Sequence, residues 1–273
     1  MQASRTIIGP SGPGAGAYLA ELWAYRELLY FLVWRDIKVR YKQTVIGAAW
    51  AVIQPFFTMV VFSLFFGILA KLPSGGLPHP LFYYSALLPW TYFANALQTA
   101  TNSIVEHQRV VTKVYFPRML LPLAAVLSGL VDFGIAFIVL VAMMVFYGVA
   151  PGVTVVVMPF FLLLAIVTAL GVGLWLSTLN AKYRDVRYAT PFLIQLWLFA
   201  SPVAYSSDLV PGRWQWLYGL NPMAGVIEGF RWALFGTSKV PGLVGVSVVA
   251  VLLVLVTGVM FFRRQERTIA DVV

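Results

Sequence analysis

The sequence predicts an all-α integral membrane protein with six transmembrane helices, and three observations support this fold class. Of the 273 residues, 60% are hydrophobic and only 11% are charged, whereas soluble domains carry roughly 25% charged residues. Several apolar runs are long enough to cross a hydrocarbon core about 30 Å thick. The basic residues are concentrated in alternate connecting segments, as in multi-pass membrane proteins. The composition therefore excludes a soluble globular domain, a disordered chain and a collagen-like repeat.

The segments before the first span are predicted to lie on the cytoplasmic side. Residues 1–17 are rich in Gly, Pro and Ser, which predicts a flexible tail rather than a cleavable signal peptide. Residues 18–47 predict an amphipathic helix in the headgroup layer, because aromatic and apolar side chains recur at helical spacing. The side chains on this face are Tyr30, Trp34, Ile37 and Tyr41. The alternative is an ordinary positively charged flank of a transmembrane helix.

One hypothesis assigns the cations of this amphipathic segment to substrate recognition. They would meet an anionic, phosphate-bearing lipid where it enters the protein, because guanidinium and ammonium groups bind phosphate strongly. The candidates for this entrance are Arg35, Lys38, Arg40 and Lys42.

Six apolar segments account for the membrane domain, which is predicted to comprise residues 48–273. The first segment contains Pro55, which removes a helix hydrogen bond and predicts a kink. Residues 206–241 are too polar to cross lipid as one helix and too aromatic for a solvated loop. They predict two short re-entrant helices split at Asn221 and Pro222. The six predicted spans are residues 48–70, 81–105, 119–147, 153–179, 188–205 and 243–262.

The distribution of Lys and Arg predicts that both termini are cytoplasmic. With six spans, fifteen of the 19 basic residues fall on the side of the termini and four on the other side. The net charge of +9 therefore indicates orientation in a membrane and does not require nucleic acid as a partner. Membrane lipids are the expected surroundings.

The second cytoplasmic loop predicts a short helix that docks on a partner protein. Residues 105–116 can form about three helical turns before Pro117 ends them. Apolar side chains along one edge of a cytoplasmic helix are typical of a surface that fits a partner's groove. The alternative is a helix packed back on its own bundle. The candidate contact residues are Glu106, Arg109, Val110, Lys113, Val114 and Tyr115.

Two further features lie inside predicted spans. Asp132 is in the third span, where a carboxylate is costly and is a functional candidate by default. A structural hydrogen-bonding role is equally compatible with the sequence, and no intramembrane Lys or Arg is an obvious partner. Aromatic residues cluster along the second span, where rings with polar edges would suit the faces of sugars, although packing is the alternative for each ring. These channel candidates are Tyr83, Tyr84, Trp90, Tyr92 and Phe93.

Several motifs are missing from the sequence. The chain has no cysteine and no P-loop, so it can bind neither zinc through thiolates nor ATP through a Walker motif of its own. We expect no catalytic residues, metal site or cofactor in this chain. The lack of a convincing internal repeat also disfavours an ion-coupled transporter.

Several sequence blocks occur in a recognisable order. They are WRDIKVRYKQTVIGAAWAVIQP (34–55), LLPWTYFANAL (87–97), TKVYFPRMLLPLAAVLSGLVDF (112–133), NAKYRDVRY (180–188), SPVAY (201–205) and NPMAGVIEGFRWALFG (221–236). Together they resemble the membrane subunit of bacterial polysaccharide ABC exporters, the type 2 ABC permeases for O-antigen, capsule or teichoic acid. The resemblance extends from about residue 32 to the C-terminus.

The resemblance implies a homodimeric permease in the bacterial inner membrane, bound to two copies of a cytoplasmic ABC ATPase that holds ATP and Mg²⁺. It implies that residues 18–47 form the interfacial helix, that residues 105–116 form the coupling helix, and that residues 206–241 help to close the outer mouth. The implied substrate is a polysaccharide on a polyprenyl-pyrophosphate lipid. Within the re-entrant segment, the candidate gate residues are Asn221, Pro222, Glu228 and Arg231.

Two other functions remain open at this point. A related type 2 ABC permease could export a drug or a simple lipid. A membrane-bound transferase acting on polyprenyl lipids is more remote, because it would need clustered acids or a histidine at one membrane interface.

Overall fold

The computed structural model describes residues 15–42, 47–236 and 242–272, and every regular element in these ranges is helical. Helix α3 continues as a π-helix over Ser63–Leu69, and short 3₁₀ helices precede α3, α8 and α10. The all-α prediction is confirmed. The helices are α1 (Ala15–Ala24), α2 (Arg26–Tyr41), α3 (Trp50–Phe62), α4 (His79–Glu106), α5 (Gln108–Val111), α6 (Leu120–Ser128), α7 (Leu130–Phe146), α8 (Met158–Lys182), α9 (Val186–Phe199), α10 (Gly212–Tyr218), α11 (Pro222–Phe235) and α12 (Leu243–Val272).

Some predicted segments fall partly outside the described ranges. These are residues 1–14 of the predicted tail, residues 43–46 of the amphipathic segment, and residues 237–241 of the re-entrant segment. Helix α1 begins at Ala15, so the helical part of the chain starts slightly before the predicted end of the tail at residue 17.

Within the described ranges, four helical stretches are long and apolar enough to cross a membrane. They are Trp50–Leu69, Leu120–Phe146, Val153–Lys182 and Leu243–Glu266. These stretches correspond to the first, third, fourth and sixth predicted spans. The second predicted span corresponds to α4, which has 28 residues and several polar side chains, and the fifth to α9, which has only 14 residues.

Helix α4 lies at the centre of the bundle, where it packs against α3, α6, α7, α8, α9 and α11. Its residues from Leu81 to Trp90 are all buried, as expected for a helix that is largely apolar on every side. Pro80 stands in the first turn, where the missing N–H has no helical partner to lose. Helix α4 is therefore the core element against which the others are arranged.

Helices α8 and α12 approach each other so closely that glycine is required at the contact. A Cβ atom on Gly258 would lie 2.4 Å from the carbonyl oxygen of Gly171, and one on Gly171 would lie 2.9 Å from the backbone nitrogen of Leu255. Small residues at helix interfaces are typical of membrane bundles, because van der Waals packing supplies much of the association energy there.

The segment before the last span contains the two short helices that the sequence predicts. Helix α10 ends at Tyr218, and α11 begins at Pro222, which occupies the first helical position. The side chain of Asn221 caps α11 by accepting a hydrogen bond from the backbone N–H of Met223 at 3.1 Å. Nearly every residue of α11 is buried against α4, α8 and α12.

Candidate functional site

The segments rich in Lys and Arg meet at one end of the bundle, here named the basic end (residues 15–42, 101–120, 180–188 and 262–266). Tyr18 of α1 donates a hydrogen bond to Glu266 near the end of α12 at 3.0 Å, and the backbone N–H of Arg118 donates to the same carboxylate at 2.8 Å. Asn180 at the end of α8 donates to the carbonyl of Thr101 on α4 at 2.9 Å. These contacts bring together the four segments that the charge count assigns to one side.

The predicted coupling helix is shorter in the structure than in the prediction. Helix α4 continues to Glu106, and α5 comprises only the four residues Gln108–Val111 before the chain forms turns. The break occurs at His107, whose backbone leaves the helical region with φ −103° and ψ 18°. Its side-chain Nδ1 lies 2.7 Å from the carbonyl oxygen of Ser103, so the histidine itself covers the end of α4.

The loop after α4 has one side packed on the bundle and one side open. Val111 and Phe116 are buried against Leu32 of α2 and the start of α6. Val114 and Tyr115 are 58% and 78% exposed, beside exposed charged residues. Six exposed residues form what we name the 106–115 patch: Glu106, Arg109, Val110, Lys113, Val114 and Tyr115.

The loop is tied to α1 and α12 by polar contacts that the sequence reasoning missed. Tyr115 donates to Glu21 of α1 at 3.2 Å, and the guanidinium of Arg118 bonds to the backbone oxygen of Glu266. Burial and the neighbouring Glu266 carboxylate raise the pKa of Tyr18 well above its ordinary value, so its hydroxyl remains a donor. The available signal was Glu266 itself, an acidic residue within the basic run RRQER.

Two of the predicted entrance cations have partners on or near α2. Arg35 donates to Asp36 at 2.7 Å and to Nε2 of His107 at 2.5 Å, which links α2 to the loop after α4. Lys38 lies over the ring of Trp34 with its ammonium nitrogen 5.2 Å from the ring centroid. The full predicted set was Arg35, Lys38, Arg40 and Lys42.

Arg40, the third of these cations, is paired with Asp132, so the carboxylate has a basic partner that comes from α2 and not from a membrane span. Both the Arg40 guanidinium and the Tyr41 hydroxyl bond to the carboxylate of Asp132, which lies in the first turn of α7. Burial and the Asp132 hydrogen bond raise the pKa of Tyr41 above its ordinary value. Sequence reasoning missed the pair because the partner comes from α2, outside the predicted spans. Lys42, the fourth cation, is exposed just after α2.

The five aromatic residues predicted to line a channel are buried inside this single chain. Tyr84 and Tyr92 donate hydrogen bonds to the carbonyls of Ala136 and Val126, at 3.1 and 3.2 Å. Their surroundings on α4 therefore match the packing alternative, and a channel role stays a prediction. The five residues are Tyr83, Tyr84, Trp90, Tyr92 and Phe93.

At the other end of the bundle, which we name the opposite end (residues 197–236), Asn221 joins α9 to α11. Its Oδ1 accepts a hydrogen bond from the indole of Trp197 at 2.8 Å, in addition to capping α11. Its Nδ2 donates to the carbonyl of Ala200 and the hydroxyl of Ser201, both at 3.0 Å. A single side-chain amide therefore ties the end of α9 to the start of α11.

The opposite end also contains a buried ion pair between Glu228 and Arg231, whose closest N···O distance is 3.4 Å. The guanidinium of Arg231 donates to the carbonyls of Pro202 and Val203 at 2.8 and 3.0 Å. The carboxylate of Glu228 accepts from the backbone N–H of Ser207 at 3.0 Å. The four predicted gate residues therefore lie in one region. Of these, Glu228 and Arg231 bind the backbone of the chain between α9 and α10.

The fold and the polar groups at its two ends define an integral membrane protein with an exposed loop at its basic end. The chain belongs to the ABC-2 type transporter family, whose model matches residues 27–235. The sequence resemblance to type 2 ABC permeases is thereby confirmed.

Curated relatives agree with this family. The chain is 29% identical over 252 residues to the O-antigen export system permease protein RfbA of Myxococcus xanthus, with 90% of this chain and 95% of the relative covered. It is 24% identical over 247 residues to RfbA of Klebsiella pneumoniae, with the same coverage. The inner membrane transport permease YadH of Escherichia coli K12 is 24% identical over 218 residues, covering 74% of this chain and 82% of YadH.

Proposed function

We propose that this chain is the membrane subunit of an ATP-driven exporter that carries a polysaccharide, such as O-antigen, on a polyprenyl-pyrophosphate lipid across the bacterial inner membrane. The observation that carries the proposal is the similarity to O-antigen export permeases over 90% of this chain and 95% of the relatives. A match to a fragment would support only a shared fold, whereas these matches extend over most of this chain and nearly all of each relative.

The proposed topology has six spans with both termini in the cytoplasm. Helix α4, with 28 residues, is about 42 Å long at 1.5 Å per residue, which exceeds the hydrocarbon thickness. Helix α9 would cross together with the turns that follow it, and α10 and α11 would enter the membrane from the outer side without crossing. The clustering of basic segments at one end supports this end as the cytoplasmic one.

Energy would come from two copies of a separate cytoplasmic ATPase, which would hold ATP and Mg²⁺ and bind a homodimer of this chain. The 106–115 patch is the proposed contact, because it exposes apolar side chains among charged ones at the basic end. Such a patch fits a groove on a partner protein. Force applied there would reach α2 through Val111 and α12 through Arg118.

The pyrophosphate of the substrate would meet Lys38 and Lys42, which among the predicted entrance cations have no carboxylate partner in the described ranges. Arg35 and Arg40 are engaged by Asp36 and Asp132. We therefore restrict the proposed entrance set to the two lysines, whose ammonium groups bind phosphate as point charges.

Deletion of the gene from its host tests the proposal. We expect surface polysaccharide to disappear while lipid-linked glycan accumulates inside the cell, and the wild-type gene to restore export. A Val110→Pro variant should insert in the membrane at normal levels and fail to restore export, because proline breaks the single turn of α5. Unchanged surface polysaccharide in the deletion strain would refute a polysaccharide substrate and favour the alternative of a drug or a simple lipid.

A further inference from the structure

A cavity of about 340 Å³ lies between α2, α3, α4 and α7 at the side of the chain where the Arg40–Asp132 pair is located. This volume falls at the lower end of the range of about 300–1,000 Å³ typical of small-ligand sites. Three other cavities of the bundle are lined almost entirely by apolar side chains; the one between the outer half of α3 and α7 has about 680 Å³. The cavity beside Arg40 is therefore distinguished by its polarity.

The charge inside this cavity is balanced. Among the lining residues that the structure describes, Arg40 and Asp132 are the charged ones, and they are bonded to each other. The Tyr41 hydroxyl, a further polar group of the wall, also donates to the Asp132 carboxylate. An anionic ligand would have to separate this pair, whereas a neutral ligand would leave it intact.

Several hydrogen-bonding groups of the wall have no protein partner within the described part of the chain. The buried Oε1 atom of Gln98 has none, and no hydrogen bond involves the side chains of Gln54, Thr91 or Asn95. Polar groups in proteins are normally paired, so the wall leaves hydrogen-bonding capacity unused beside the cavity, above all at Asn95 and Thr91, which are accessible to a ligand. Amides offer both donors and an acceptor, which matches a ligand with several hydroxyl groups.

Aromatic surface completes the wall. The indole of Trp50 at the start of α3 and the ring of Tyr92 on α4 both line the cavity. An apolar ring face combined with amide groups suits a pyranose, which has C–H bonds on its faces and hydroxyl groups around its edge.

We propose that this cavity binds one uncharged sugar residue, with Gln98 and Asn95 bonding to its hydroxyl groups and the Arg40–Asp132 pair closing one side. That the bound sugar belongs to the exported glycan rests on the proposed function. That the cavity binds a sugar does not. The site lies within a single chain and does not require a second copy.

Saturation-transfer NMR on the full permease in lipid nanodiscs tests this site. The probes are the methyl glycosides of glucose, galactose, mannose and N-acetylglucosamine, with glucose 1-phosphate as the anionic comparison. We expect at least one neutral glycoside to bind, and Gln98→Leu or Asn95→Leu to weaken its binding about threefold to tenfold, the effect of one lost hydrogen bond. Gln108→Leu on α5, at an exposed residue that does not line the cavity, is the matched control and should bind as the wild type does.

The proposal is overturned if none of the four glycosides binds, if both cavity variants bind as tightly as Gln108→Leu, or if glucose 1-phosphate binds more tightly than methyl glucoside. Thermal unfolding of each variant confirms that it is folded, and Asn95→Leu changes an exposed position of α4, so it preserves the core. Export in the deletion strain is scored separately. Sugar binding without glycan export would support the binding site and refute the proposed exporter function. Glycan export without sugar binding would refute the binding site and support the exporter function.

Discussion

The two ends of the bundle hold their charged groups in different ways. Beside the basic end, the side chains of Arg40 on α2 and Asp132 on α7 are 31% and 20% exposed, and their bond joins these two helices. At the opposite end, the side chains of Arg231 and Glu228 are 4% and 5% exposed, and both bind mainly to the backbone of the chain between α9 and α10. One arrangement links two helices through their side chains, and the other holds a loop through its backbone.

This difference indicates which end can rearrange at low cost. Separating α2 from α7 at Asp132 breaks bonds between side chains and leaves the backbone hydrogen bonds of both helices intact. Loss of the buried guanidinium at the opposite end leaves carbonyl oxygens and a carboxylate unpaired. We infer that the basic end is suited to movement driven by a partner and that the opposite end is suited to holding a constant shape.

The largest effect is expected at the opposite end, from Arg231→Met. The change removes the donors to Pro202 and Val203 and leaves Glu228 as an unpaired buried charge, at a cost of about 3–5 kcal/mol. We expect a sharp fall in the thermal unfolding temperature of the purified permease. The double variant Arg231→Met with Glu228→Gln should recover part of the lost stability. If Arg231→Met is as stable as the wild type, the inference that the opposite end holds a constant shape is refuted.

A smaller effect is expected from the ion pair beside the basic end. Asp132→Asn should cost about 1–2 kcal/mol, because the charge that strengthens the bonds from Arg40 and Tyr41 is lost while the amide oxygen of asparagine still accepts a hydrogen bond. The double-mutant cycle of Arg40→Met and Asp132→Asn should give an interaction energy of at least about 0.5 kcal/mol. Additive effects in the cycle would mean that the two side chains do not interact, and the link between α2 and α7 would be abandoned.

The link between α1 and α12 is expected to be weaker still. Tyr18→Phe removes the hydrogen bond to Glu266, which keeps its bond from Arg118, so we expect a loss of about 1 kcal/mol. Tyr30→Phe is the matched control, since Tyr30 is exposed on α2 and its hydroxyl makes no hydrogen bond within the described residues. Equal unfolding temperatures of the two variants would contradict the contact.

The sequence predicted the helical class and the short helices on either side of Asn221 and Pro222, because composition and proline position are local signals. It failed where the outcome depends on tertiary contacts. The partner of Asp132 comes from α2, 92 residues away along the chain, and no pattern within either segment indicates the pairing. For the same reason the role of Glu266 could not be derived from its own neighbours.

The loop after α4 and the aromatic residues of α4 show two further limits of prediction from the sequence. Helical spacing over residues 105–116 gave no sign that His107 interrupts the helix, because the interruption arises from one side chain bonding to the carbonyl of Ser103. Aromatic composition cannot separate rings that line a path from rings that pack in a core. The carbonyl partners of Tyr84 and Tyr92 make that distinction for this single chain.

The smallest effect on stability, with the largest effect on function, is expected from Val114→Asp in the 106–115 patch. Val114 is 58% exposed, so we expect a stability change within about 0.5 kcal/mol. A buried carboxylate in the partner's groove would be unpaired, and binding of the ATPase and glycan export should both be lost. Val153→Asp, at a residue 91% exposed in the 3₁₀ helix before α8, is the matched control and should retain both. If Val114→Asp still binds the ATPase and exports glycan normally, the contact lies elsewhere and the basic end is not where the force enters.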